Sequence, residues 1–166
     1  MSNINKKLFK RLHLNHAYGQ LIALIFVPIM ILACVGTMLV LSETSNAAKA
    51  QQRQMAIAIL TRFELPSEAA LHQLSSFPWK YEEARSYMQN MMNEKHLIRT
   101  ALIDASGTRR LSMGFQDQAG WPKFPKNAEF FGPILYNNNH VYGMQVQQDI
   151  NRPAWLLIEL YNQPLQ

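Results

Sequence analysis

The chain has 166 residues, enough for one folded domain once a membrane segment is set aside. Its formal charge is +5, yet Lys6, Lys7, Lys10 and Arg11 carry most of that excess; the other 12 Lys and Arg face 11 Asp and Glu. The body is close to neutral and lacks the basic footprint that DNA or RNA requires, so nucleic-acid binding is excluded.

Residues 1–20 read as a short basic tail. Leu21 to Leu41, "LIALIFVPIMILACVGTMLVL", is an uncharged apolar run. As a helix it spans about 31 Å, the thickness of a bilayer's hydrocarbon core. Pro28 lies near its middle and predicts a kink, which membrane helices tolerate. A cleaved signal peptide is the competing reading, since Ala48-Lys49-Ala50 resembles a cleavage site. The run is longer than an ordinary signal core and the Ala-Lys-Ala lies well beyond it, so an uncleaved anchor is preferred. The basic residues flank its N-terminal side, which predicts a cytoplasmic tail and an outer body over 43–166. In a Gram-negative cell that places the body in the periplasm and the chain in the inner membrane. Cys34 is the sole cysteine, so no intrachain disulfide is available.

Residues 42–64 contain no Gly or Pro and are rich in Ala and Gln, which predicts a helical stalk. Ala48, Met55 and Ile59 fall near one stripe, with Gln51 and Arg62 beside it. A dimer seam there is an expectation, and the chain is expected to work as a homodimer. Pro66-Ser67-Glu68 reads as the opening of a short helix that ends before Pro78. Tyr81 to Lys95 forms a second helix. Tyr81, Ala84, Met88, Met91 and Met92 make its apolar stripe, and Glu82 and Glu83 occupy the first turn.

From Leu97 the period changes to two. "HLIRTALID" predicts a strand, Asp104-Ala105-Ser106-Gly107 a tight turn, and Arg109 to Phe115 a returning strand. Residues 116–127 hold Gly and two Pro and read as a loop. "GPILYNNNHVYGMQVQ" predicts a second hairpin turning at Asn137-Asn138-Asn139. In "PAWLLIELYN" Ala154, Leu156, Ile158 and Leu160 alternate with Trp155, Leu157, Glu159 and Tyr161, which predicts a last strand. The whole reads as an α+β domain over 65–166, an antiparallel sheet of about five strands covered by helices.

No catalytic constellation is present: there is no HExxH, CxxC, GxSxG or Walker loop, and no catalytic residue or cofactor is assigned. His72, His96 and His140 are scattered, so no metal site is expected. The candidate ligand residues are Arg99 and Arg109, whose guanidinium groups suit a small carboxylate, with Trp121, Tyr136 and Tyr142 as walls.

The Asp104-Ala105-Ser106-Gly107 turn and the order of elements resemble an extracytoplasmic PAS-like (Cache-type) sensor domain. "HAYGQLIALIFVPIMILACVGTMLVL", with Pro28 in mid-membrane, resembles the opening of BarA/GacS-type hybrid sensor histidine kinases, and "WLLIELYNQPLQ" resembles the exit of that sensor domain toward a second membrane helix. The resemblance implies the input region of a two-component kinase, detecting a small ligand or a partner. This sequence has no second apolar span, phosphoacceptor-histidine helix or Gly-rich ATP lid, so kinase activity is carried onto none of its residues. The alternative expectation is a single-pass structural protein of a pilus or secretion assembly, with exposed strand edges for its neighbours.

Overall fold

The computed structural model describes residues 3–115, 120–149 and 152–162. Helix α1 runs from Asn3 to Arg62, α2 from Glu64 to Ser76 and α3 from Tyr81 to Gln89, followed by a 3-10 turn at Asn90–Asn93. Five strands complete the chain: β1 Leu97–Ile103, β2 Arg109–Gly114, β3 Phe130–Tyr136, β4 Asn139–Asp149 and β5 Arg152–Leu160. The chain divides into two compact units at Ala47/Ala48, each described by itself.

In the first unit, α1 is the one helix among the described residues that is long and apolar enough to cross a membrane. Large apolar side chains from Ile22 to Leu41 are exposed all round it. That pattern suits lipid contact, because a protein core would cover at least one side. Thr37 donates back to the Ala33 and Cys34 carbonyls at 3.0 and 2.9 Å, which satisfies its hydroxyl within the helix.

The second unit is α+β. All strand pairs are antiparallel, in the order β2-β1-β5-β4-β3. The last strand in sequence is therefore the central one. Its alternation fills both faces: Ala154, Leu156, Ile158 and Leu160 point to the helices, while Trp155 and Leu157 join a second core on the other side. A strand buried on both faces reads as a nearly continuous apolar run, and this one does.

The helix-side core takes Ala56, Ile59, Leu60 and Phe63 from α1, Ala70, Leu71 and Leu74 from α2, and Ala84 and Met88 from α3. Met91 is also buried there, with Tyr81 and Met92 packed against it, so the methionine stripe is structural. The stalk's buried face differs from the expected one. Gln52, Ala56, Ile59, Leu60 and Phe63 are buried, whereas Gln51 and Arg62 are exposed. Ile59, offered to a dimer seam by the periodicity, is used in the domain's own core.

Both hairpins turn where the sequence places them. At the first, Asp104 Oδ1 accepts hydrogen bonds from the Ser106 and Thr108 backbone N–H groups, each at 2.9 Å, and Gly107 takes φ +88°. At the second, Asn137 and Asn138 both have positive φ, 47° and 68°, as a two-residue type I′ turn requires; Asn139 already belongs to β4.

Candidate functional site

The sheet face away from the helices carries an ion pair inside an apolar setting. Arg99 leaves β1 and Glu159 leaves the neighbouring β5, with the two positions in register. Arg99 Nε donates to Glu159 Oε2 at 2.5 Å, and both side chains are nearly fully buried. Arg99 Nη2 donates to the Gly120 carbonyl at 2.9 Å, and Asn139 Nδ2 donates to Glu159 Oε1 at 2.8 Å. The guanidinium lies 4.2 Å from the Trp121 ring centroid and 5.7 Å from that of Tyr136. The charge is thus matched by a carboxylate, a carbonyl and two aromatic faces, the setting in which a buried arginine is tolerated.

An aromatic layer continues from this pair. Phe124 stacks on Phe131 at 5.2 Å and meets Trp155 edge-on at 5.5 Å. Gly143 makes room for it: a Cβ there would stand 2.3 Å from the Phe131 ring. The segment 121–129 therefore covers this face by side chains without regular backbone structure.

Beside the ion pair is a half-open hollow of about 160 Å³. Arg99 and Glu159 form its buried part, Asn137 and Asn139 one side, and the exposed Phe115 and Tyr161 its rim, with Ile98 completing the lining. A second groove, of about 320 Å³, runs between α3 and β2 and is lined by Glu82, Arg85, Ser86, Gln89, Met92, Met113 and Gly114.

Of the five residues named from the sequence, Arg99, Trp121 and Tyr136 meet at one place. Arg109 is exposed at the turn end of β2, opposite Ile103, whereas Arg99 is paired with Gly114; that separation is about 17 Å of strand. Tyr142 lies on the opposite face, within the helix-side core. The carboxylate that Arg99 holds is the protein's own Glu159. Glu159 and Asn139 were not singled out by the sequence. The signal was present in "WLLIELY": a carboxylate flanked by apolar residues in a doubly buried strand needs a cation beside it.

On the helix side a second polar group joins three elements. Gln52 of α1 is 9% exposed. Its Nε2 donates to the Tyr161 carbonyl, just past β5, at 2.9 Å, and its Oε1 lies 2.6 Å from His140 Nδ1 on β4. Burial and the charge of Lys49 hold His140 below its ordinary value of 6.5. Burial raises the neighbouring Tyr142 phenol, with Arg53 opposing in part. The Tyr142 hydroxyl has no hydrogen-bond partner among the described residues.

The first hairpin turn has its own charge network. Arg110 Nε donates to Asp104 Oδ2 at 2.6 Å, and Ser106 Oγ donates to Oδ1 at 2.5 Å. Burial alone would raise Asp104. The hydrogen bonds from Ser106, Thr108 and Arg110 outweigh it and hold the carboxyl below 3.8. Among the described residues no three His, Cys, Asp or Glu side chains gather as a metal site. Compared with known proteins, the chain matches no protein-family model, no curated protein and no solved structure.

Proposed function

We propose that the chain is the membrane-anchored input module of a signalling protein, with a PAS-like sheet domain outside the cytoplasm that reports through α1 and the exit from β5. One observation carries this reading. Gln52, where the chain enters the sheet domain, is hydrogen-bonded to the Tyr161 carbonyl, where the chain leaves the sheet, 109 residues later. Entry and exit side by side suit a domain set between two membrane helices, since any shift of the sheet changes the spacing of both connections. The long-range partner of the module would then be a two-component histidine kinase region, as the resemblance implies.

The hollow beside Arg99 and Glu159 is the ligand site of this reading. Its two buried charges cancel, and Asn137 and Asn139 add donors and acceptors. A small, net-neutral, hydrogen-bonding molecule fits that balance better than a bare carboxylate, which would have to displace Glu159 from Arg99.

Reading the source gene beyond the Gln166 codon tests the proposal. The expected frame runs into a second apolar span and then a histidine-bearing helix. A stop codon there overturns the kinase-input reading. It would favour the assembly-protein reading instead, which the packing of α1 onto an antiparallel sheet also suits.

A further inference from the structure

We propose that Gln52 and His140 form an acid-sensitive latch between the entering helix α1 and the sheet, a regulatory role that rests on the input-module reading above. The geometry fixes the hydrogen positions. The Tyr161 carbonyl only accepts, so the Gln52 amide must turn its nitrogen there and its oxygen toward His140. His140 then donates from Nδ1–H, and the neutral ring holds the latch with Nε2 unprotonated.

A second proton must enter at Nε2, and the surroundings oppose it. On α1 the charge that acts on the ring is Lys49, a cation; Arg53, the next cation, lies over the Phe130 ring at 5.6 Å and acts on the Tyr142 phenol. On β4 the nearby titratable group is Tyr142, a buried neutral phenol. On β5, His140 is in register with Leu160, while the Glu159 carboxylate lies on the opposite face and is taken by Arg99 and Asn139. No described carboxylate is bonded to the ring. A half-buried imidazolium would still donate from Nδ1–H, but it would be partly desolvated and would face the Lys49 charge of α1, a penalty relieved when helix and strand separate.

The sign follows from linkage. The latched ring binds its proton more weakly than a free one, so neutral pH favours the latched state. That preference is complete above about pH 6.5 and is lost as pH falls through the latched ring's lower value. Because Gln52 also holds the Tyr161 carbonyl, opening frees the entry helix and the exit strand together.

Amide hydrogen exchange of the full chain in lipid nanodiscs, corrected for intrinsic pH dependence, tests the latch. Protection of α1 peptides within residues 48–62 should fall by roughly three- to tenfold between about pH 7.5 and about pH 5. His140→Asn keeps an N–H donor without a titratable ring, and its protection should stay flat. Gln52→Glu sets a carboxylate against the ring, so acid should preserve or increase protection. Flat protection in the unsubstituted chain, or the same fall in His140→Asn, overturns the proposal. Ring ¹⁵N shifts of His140 give a check that needs no substitution: they should report Nδ1–H at neutral pH and titrate in step with α1 exchange. A ring that titrates while α1 stays protected also overturns it. These readouts do not depend on a kinase. A working latch with a stop codon after Gln166 would sink the kinase-input reading alone, and a failed latch with a continuing frame would sink only the latch.

Discussion

Arg99 and Glu159 show what a buried pair contributes. Removing both charges from water is costly, and the pair's attraction together with the bonds to Gly120 and Asn139 offsets that cost. Breaking one side leaves an isolated charge. Glu159→Gln should therefore destabilise the chain by about 3–5 kcal/mol, whereas Arg99→Met combined with Glu159→Leu should recover most of that loss. Denaturant unfolding in detergent, followed by tryptophan fluorescence, measures both; Trp121 on the guanidinium and the buried Trp155 report directly. A Glu159→Gln chain within about 0.5 kcal/mol of the parent would show that the pair is not structurally costly to break. Such pairs are hard to read from sequence. Arg99 and Glu159 are 60 residues apart, so no local period links them, and the sequence alone leaves Arg99 facing an outside carboxylate.

Elements were more legible where their own residues decide them. The alternation in β5 places each side chain on the face where it is found, and Asn137-Asn138 supplies the left-handed turn that the second hairpin needs. The stalk's buried face, Ala56, Ile59, Leu60 and Phe63, is itself an apolar stripe at helical spacing, one register away from the expected one. Its continuation at Gln52 is what the sequence does not reveal, because only the distant His140 and Tyr161 make that position favourable. The first hairpin is local again, since Asp104 organises it through Ser106, Thr108 and Arg110. Asp104→Asn keeps one acceptor and loses the charge against Arg110, so it should cost about 1–3 kcal/mol at neutral pH. The carboxyl's folded value lies below 3.8, so its contribution is present above that ordinary value and disappears as pH falls through the folded one. Unfolding midpoints of the parent and Asp104→Asn should converge at low pH. A gap that is constant from neutral to strongly acidic pH would show that the carboxylate's charge does not support the turn.

At the scale of the whole molecule, the proposed orientation rests on the flanks of the apolar run. Lys6, Lys7, Lys10 and Arg11 precede it, and the first cation after it is Lys49, with Glu43 in between. Basic residues near a span resist translocation, so the sheet domain should lie outside the cytoplasm. A maleimide that does not cross the inner membrane tests this in a Cys34→Ala background. Ala105→Cys, on the exposed first turn, should label in cells whose outer membrane alone has been opened. A cysteine at Ser2 should label only after lysis. The opposite pattern would put the sheet inside and remove the extracytoplasmic input reading. Moving the charge gives a control: replacing the four N-terminal cations with Gln and placing four Lys directly after Leu41 should invert a substantial fraction of the chains. If labelling is indifferent to that exchange, the four cations are not what orients the helix, and the folded bulk of the sheet domain becomes the remaining physical cause.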